Sequence, residues 1–309
     1  MTGLKGRDLI SLSDFSAAEI RAVLDAALDF KAGLKRGEQH RLCAGKTLAM
    51  IFQKPSTRTR VSFETGMFQM GGHALYLNAQ DIQLGRGETV ADTARVLSRF
   101  VDGIMIRTFA QEDVEELARY ASVPVINGLT DLEHPCQILA DLLTILEHKG
   151  RLAGLKLAWV GDGNNVCHSL MFGAALTGMQ MAAATPPGFA PRKDIVEAAR
   201  SLAAAHGGAI TVINDPVAAV HEADVVVTDT WASMGQEGEH DERARVFRPY
   251  QVNSDLTKHA RPDFIFMHCL PAHRNEEVTD EVMDGPHSVV WDEAENRLHV
   301  QKALLSMIL

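Results

Sequence analysis

The feature that most constrains this chain is the order of its segments, because short apolar runs alternate with helix-patterned stretches along most of its length. The apolar runs are Thr47–Phe52, Ala74–Asn78, Gly103–Arg107, Pro124–Asn127, Lys156–Gly161, Met179–Ala184, Ala209–Ile213, Asp224–Asp229, Phe264–His268 and Ser288–Trp291. Between most of them lie helical patterns such as Gln111–Ala121 and Arg192–Ala205. Before the first run, Ser16-Ala17-Ala18-Glu19 has the form of a capping box, and Ile20, Val23, Leu24, Ala27 and Leu28 follow at helical spacing. Repeated strand–helix–strand order with continuously apolar strands predicts an α/β fold whose mainly parallel sheets are flanked by helices. Ten strands in 309 residues fit two sheets better than one, and the length allows two domains of about 150 residues. We expect a boundary near Lys149–Gly154, with residues 1–149 in a first domain and 150–291 in a second. Asp292–Leu309 reads as a terminal helix that needs a surface to cover Leu298, Leu304, Leu305 and Ile308.

Composition removes several classes. The chain carries 30 Lys and Arg against 40 Asp and Glu, a formal charge of −10, which argues against a nucleic-acid backbone or an anionic membrane as the main partner. The longest apolar stretch, Leu170–Ala184, is interrupted by Gly173, Thr177, Gly178 and Gln180 and is too short to span a bilayer. The first residues lack the apolar run of a signal peptide. Cys43, Cys136, Cys167 and Cys269 are widely separated, as suits a reducing cytoplasm. A cytoplasmic location is expected.

In open parallel sheets, ligands bind beyond the C-terminal ends of strands. Five of the predicted strands run directly into polar or reactive clusters there. Thr47–Phe52 leads into Gln53-Lys54-Pro55-Ser56-Thr57-Arg58-Thr59-Arg60, and Gly103–Ile106 ends at Arg107-Thr108. Leu157–Val160 opens onto Gly161-Asp162-Gly163-Asn164-Asn165. Val225–Thr228 ends at Asp229, and Phe264–Met267 at His268-Cys269-Leu270-Pro271.

Each cluster admits two readings. The Ser56–Arg60 segment suits a helix N-terminus that holds an anion, with Arg58 as a bidentate clamp. It equally suits a plain Ser/Thr cap with Arg60 paired to Glu64. His134-Pro135-Cys136-Gln137 opens another helix, and His134 and Gln137 would share one side of its N-terminus. They offer donors and an acceptor to an amide-like group, or they simply cap and face solvent. The Gly161-Asp162-Gly163 turn resembles a dinucleotide loop, but Val166 stands at the third glycine position and no acid ends the next strand. Both departures count against NAD. Cys269 could be a nucleophile, a metal ligand, a positioning group or a packing residue. No closed set of zinc ligands at zinc spacing is present, so no metal is expected.

Taken together, these motifs resemble the aspartate/ornithine carbamoyltransferase family from end to end. Asp229-Thr230-Trp231-Ala232-Ser233-Met234-Gly235 and His268-Cys269-Leu270-Pro271 are similar to the ornithine branch rather than the aspartate branch. The resemblance implies two α/β domains, for carbamoyl phosphate and for the amino acid, with the C-terminal helix 292–309 returning to the first. It implies a homo-oligomer, a trimer or a multiple of trimers, and no metal or organic cofactor. Carried onto this sequence, it assigns Ser56, Thr57, Arg58, Thr59 and Arg107 to the phosphate, with Gln83 reaching it across a subunit interface. It assigns His134 and Gln137 to the carbamoyl group, with further carbamoyl phosphate contacts from Cys269, the Leu270 carbonyl and Arg297. Asn165, Asp229, Ser233 and Met234 would bind ornithine. Arg58, Arg107, His134 and Cys269 would act in transfer of the carbamoyl group to the δ-amine, giving citrulline and phosphate. Asn275 stands where the resemblance leads one to expect glycine. The competing readings are a sister enzyme for N-acetylornithine, N-succinylornithine or putrescine, a nicotinamide dehydrogenase, and a non-catalytic carbamoyl phosphate sensor.

Overall fold

The computed structural model describes residues 3–232 and 240–309. Among the described residues, nine strands form two sheets, and every pairing in both is parallel. The chain divides into two compact units: Met1–Leu143 with Glu295–Leu309, and Thr144–Ala294.

Unit 1 contains α1 (Ala17–Lys35), β1 (Thr47–Phe52), α2 (Thr57–Gln69), β2 (His73–Asn78), α3 (Val90–Leu97), β3 (Gly103–Arg107), α4 (Gln111–Tyr120), β4 (Val125–Leu129) and most of α5 (Pro135–Lys149). Its strand order is β2-β1-β3-β4. The capping box at Ser16 forms as expected, the Ser16 side chain accepting from the Glu19 amide while the Glu19 carboxylate accepts from the Ser16 amide. Ile20, Val23, Leu24 and Ala27 form the buried face of α1. Ala49, Ile51, Ile104, Ile106 and Val125 from three strands pack with Ala94, Val114 and Leu117 from two helices. Apolar residues on both faces of a strand are what parallel β-α-β connections require.

Unit 2 contains β5 (Lys156–Val160), α6 (Asn165–Leu176), β6 (Gln180–Ala184), α7 (Lys193–His206), β7 (Ala209–Ile213), α8 (Pro216–Val220), β8 (Val225–Thr228), α9 (His240–Phe247), α10 (Ser254–Thr257), β9 (Ile265–His268) and α11 (Asp280–Met283). Its strand order is β7-β6-β5-β8-β9. Val160, Val226 and Phe266 pack with Val220, Leu256, Val282 and Val290.

The expected tenth strand, Ser288–Trp291, does not form. Ser288 makes only an isolated bridge to Phe266, and α12 (Val290–Ile308) has already begun at Val290. Asp292 and Glu293 lie in the first turn of α12, where acidic side chains favour a helix N-terminus. That preference outweighs the β-branched Val289-Val290 pair. From Glu295 onward α12 belongs to unit 1, burying Leu304, Leu305 and Ile308. Lys302 donates to Gln69 of α2 at 2.9 Å, and Lys46 donates to the Leu309 carbonyl. At Gly66 of α2, a Cβ would lie 3.2 Å from the Lys302 side chain, so the glycine lets the two helices approach. Among the described residues, no helix is long and apolar enough to cross a membrane.

Candidate active site

Both sheets place their polar clusters at a switch in strand order. In unit 1 the chain steps from β1 outward to β2 and then returns to β3 on the other side of β1. The C-terminal ends of β1 and β3 therefore flank the crevice where ligands bind in such folds. In unit 2 the corresponding switch lies between β5 and β8.

At the unit 1 switch, Phe52 pairs with Arg107 in register, and the Gln53 amide donates to the Arg107 carbonyl at 2.8 Å. Ser56 caps α2, its Oγ accepting from the Thr59 amide at 3.2 Å. Thr57 is exposed, Arg58 is half-buried and Thr59 is buried. Arg60 pairs with Glu64 at 3.0 Å and stacks over Tyr76 at 3.8 Å, so the plain structural reading describes Arg60. Gln83 opens a 3-10 turn after β2 with its side chain exposed.

Pro135 starts α5, with His134 and Gln137 buried beside it. The Gln137 amide nitrogen donates to Asp141 at 2.8 Å. Arg297 Nη1 donates to Gln137 Oε1 at 2.6 Å, and Arg297 Nη2 donates to Thr59 Oγ1 at 3.2 Å. One guanidinium therefore ties the α2 N-terminus to the start of α5. Burial holds the His134 imidazole well below its ordinary pKa, and Arg297, Arg107 and Arg58 push it in the same direction. The imidazole is neutral at physiological pH.

This neutral His134 gives a pH prediction. The unfolded chain protonates it near its ordinary value of 6.5, whereas the native state resists protonation. Below that value the unfolded state binds more protons, so stability is complete above about pH 6.5 and falls as pH drops. The thermal midpoint of the wild type is expected to decline from about pH 7 to about pH 5 more steeply than that of His134→Gln. Parallel melting curves for the two proteins would refute the assignment.

In unit 2, β5 leads through Gly161, Asp162 and Gly163 to Asn164, whose side chain caps α6 by accepting from the Val166 and Cys167 amides. Asn165 is the first residue of that helix and is half-buried. Gly163 is required by space: a Cβ there would lie 2.2 Å from the Pro191 nitrogen and 2.5 Å from the Ala190 carbonyl carbon. Gly163→Ala is expected to cost about 1–3 kcal/mol of stability, and an unchanged urea-unfolding midpoint would contradict this.

Asp229, at the end of β8, is buried and accepts from Asn164 Nδ2 at 2.8 Å on one oxygen. Its other oxygen accepts from the Cys269 thiol at 3.2 Å. Cys269 is the half-exposed cysteine of the four, and the others are buried. Burial pushes the Cys136 thiol up to about 12, which suits a packing role. His268 is fully buried. Its Nδ1 accepts from the Leu270 amide at 2.9 Å, so the ring proton sits on Nε2, 3.2 Å from Glu277. Leu270 has φ 61° and Asn275 has φ 66°. Asparagine tolerates this left-handed conformation better than other non-glycine residues, which accounts for Asn275 at the position where glycine was expected. Ser233 and Met234 lie outside the described residues.

Asp229, His268 and Cys269 offer ligand atoms within 4.8 Å of one another. Both His268 ring nitrogens are already engaged, by Leu270 and Glu277. The arrangement is that of a hydrogen-bonding network rather than a closed metal set. No local pattern marks Asn164 as an anchor of Asp229, or marks the buried Glu277 and Arg243. Their partners lie 65, 9 and 81 residues away, respectively.

Comparison with known proteins agrees with this geometry. The model of the aspartate/ornithine carbamoyltransferase carbamoyl-P binding domain matches residues 7–147, and that of the Asp/Orn binding domain matches residues 153–308. The ornithine carbamoyltransferase of Pyrococcus horikoshii is 62% identical over 309 residues, covering 100% of this chain and 98% of the relative. A Pyrococcus furiosus relative named "Ornithine carbamoyltransferase, anabolic" is 60% identical, with the same coverage. The solved structure of ornithine carbamoyltransferase from Pyrococcus furiosus superposes with a TM-score of 0.97 at 61% identity, covering 100% of this chain and 98% of that one. Matched across both halves, the chain belongs to the aspartate/ornithine carbamoyltransferase family.

Proposed function

We infer that the chain is an enzyme transferring the carbamoyl group of carbamoyl phosphate to the δ-amine of L-ornithine, giving L-citrulline and phosphate. The observation that carries this reading is the neutral, buried His134 within the influence of Arg58, Arg107 and Arg297. Three cations suit a dianionic phosphate, and a neutral imidazole beside them suits a carbonyl oxygen.

We assign residues 1–149 and 292–309 to carbamoyl phosphate and residues 150–291 to ornithine. Ser56, Thr57, Thr59 and the amides of the α2 N-terminus cradle the phosphate, with Arg58 and Arg107 as clamps. The exposed Gln83 reaches the phosphate of a neighbouring copy. His134 donates to the carbamoyl oxygen. Gln137, oriented by Arg297, contacts the carbamoyl amide. Asp229 receives the α-ammonium, Asn165 the α-carboxylate, and Cys269 orients the δ-amine. Ser233 and Met234 complete the ornithine contacts.

An alkyl ammonium has an ordinary pKa of about 10, so the δ-nitrogen must lose a proton before it attacks. Its lone pair then forms the new N–C bond, leaving that nitrogen positively charged while negative charge gathers on the carbamoyl oxygen. That charge returns as the C–O bond to phosphate breaks; phosphate departs with the electron pair and takes the second proton from the new C–N nitrogen, leaving neutral citrulline. His134 and the arginines stabilise the oxygen charge and the leaving group. Holding both substrates in place supplies much of the remaining acceleration.

The test is citrulline formation from carbamoyl phosphate and L-ornithine without added metal or NAD, with aspartate, N-acetylornithine and putrescine in parallel. Turnover with ornithine alone is the expected result. Turnover with a different amine instead would overturn the choice of second substrate. We place the reaction in the cytoplasm, in the biosynthetic direction towards arginine.

We further propose a homotrimer. Val61 and Phe68 are exposed seven residues apart on one face of α2, and Leu75 is exposed on the edge strand β2. Large apolar side chains left exposed on two neighbouring elements suit an interaction face. Sedimentation is expected to give three times the 33.7 kDa chain mass, and Phe68→Asp is expected to shift the protein towards monomer. A wild-type monomer would refute the assembly.

A further inference from the structure

Asp141 is almost wholly buried in α5, one turn beyond Gln137, and none of the assignments above uses it. Its neighbours along the helix, Ile138, Leu139, Ala140, Leu142 and Leu143, are all buried and apolar. A carboxylate in such surroundings costs free energy unless polar partners meet it, and it is a poor means of stabilising a helix. Its contact with the site described above is direct: Asp141 Oδ1 accepts from Gln137 Nε2 at 2.8 Å.

The opposite end of the same amide is held as well. Arg297 Nη1 donates to Gln137 Oε1 at 2.6 Å, while Arg297 Nη2 donates to Thr59 Oγ1 at 3.2 Å. A carboxylate accepts and a guanidinium only donates. Each neighbour therefore dictates the same orientation, with Nε2 towards Asp141 and Oε1 towards Arg297. Turned over, the amide would set two donors against each other at Arg297 and two acceptors at Asp141.

That orientation bears on what the site recognises. A carbamoyl group carries an NH2, a donor, where an acetyl group carries a methyl. The NH2 matches the carbonyl end of Gln137 and opposes its amino end. We propose that Asp141 is a positioning residue that holds Gln137 with its amino end withdrawn from the site, and so gives the site its preference for a carbamoyl over an acetyl group. The inference rests on the carbamoyl phosphate reading above, which places the carbamoyl amide against Gln137.

The experiment uses full-length wild type, Asp141→Ala and Asp141→Leu, the second filling the space without supplying an acceptor, and repeats both changes in a Gln137→Ala background. The carbamoyl phosphate KM is measured at saturating ornithine, beside the inhibition constant of acetyl phosphate competing with it. Both Asp141 variants are expected to raise that KM about tenfold and to leave the acetyl phosphate constant within about twofold of wild type. Asp141→Asn keeps an oxygen within reach of Gln137 Nε2 and is expected to restore most of the selectivity. In the Gln137→Ala background the same changes are expected to add less than about twofold, because the side chain they act through is gone. A merely structural Asp141 would weaken both ligands together and cost as much in either background, which would overturn the proposal. So would an unchanged KM in folded Asp141→Leu, or loss of folding in both apolar variants while Asp141→Asn folds normally. A wild type that forms no citrulline from carbamoyl phosphate would instead overturn the carbamoyl phosphate reading, and the inference with it.

Discussion

Arg58→Ala is expected to lower kcat/KM for carbamoyl phosphate by about a hundredfold to a thousandfold, while the fold is retained. Arg58 lies in the first turn of α2, half-buried, and contributes to the field that keeps His134 neutral. Its removal takes away a cation where the leaving phosphate gathers charge. Arg107 and Arg297 remain, so binding should weaken without vanishing. Arg58→Lys separates charge from shape: it keeps the positive charge and loses the bidentate fork, and an intermediate loss is expected. Steady-state kinetics with carbamoyl phosphate varied would check both. Near-normal turnover and affinity in Arg58→Ala would remove the phosphate cradle from the α2 N-terminus.

The second large effect is expected at Asp229. Asp229→Asn should reduce kcat/KM for ornithine by about a thousandfold while leaving the carbamoyl phosphate KM close to wild type, since losing one partner of a buried charge pair costs about 2–5 kcal/mol. The carboxylate accepts from Asn164 on one oxygen and from the Cys269 thiol on the other. An asparagine turns one of these acceptors into a donor. If its nitrogen faces Asn164 Nδ2, two donors oppose each other; if it faces Cys269, the thiol loses its acceptor. Either orientation also removes the negative charge that suits an ammonium. Steady-state kinetics with ornithine varied at saturating carbamoyl phosphate would show the loss, and an unchanged kcat/KM for ornithine would move the α-ammonium to another residue.

How far these features were legible in the sequence depended on how local their causes were. The Ser16 capping box, the apolar stripe of α1 and nine of the ten strands rest on neighbours a few residues apart, and they formed as expected. The positions of the polar clusters were legible too, since Ser56, Arg107, Asn164 and Asp229 directly follow strands and lie at the two switches in strand order. Ser288–Trp291 was misread because its composition suits a strand, while the acids just after it start a helix. What could not be read was long-range pairing. Nothing near Arg297 shows that it donates to Gln137, 160 residues earlier. Nothing near Arg243 indicates Asp162. The departure at Asn275 was visible, but its explanation is the sign of one backbone angle.

The division of unit 1 into Met1–Leu143 and Glu295–Leu309 also bears on the biogenesis of the protein. Domains generally complete themselves in the order in which they leave the ribosome, the N-terminal one first. Here that order is reversed. Thr144–Ala294 is continuous and can fold as soon as it has been made, whereas the first unit lacks Arg297, Lys302 and Leu309 until that second unit is already complete. Until then Gln137, Thr59 and Gln69 lack these partners from α12. The nascent first unit therefore waits, incomplete, until residues 295–309 have been made.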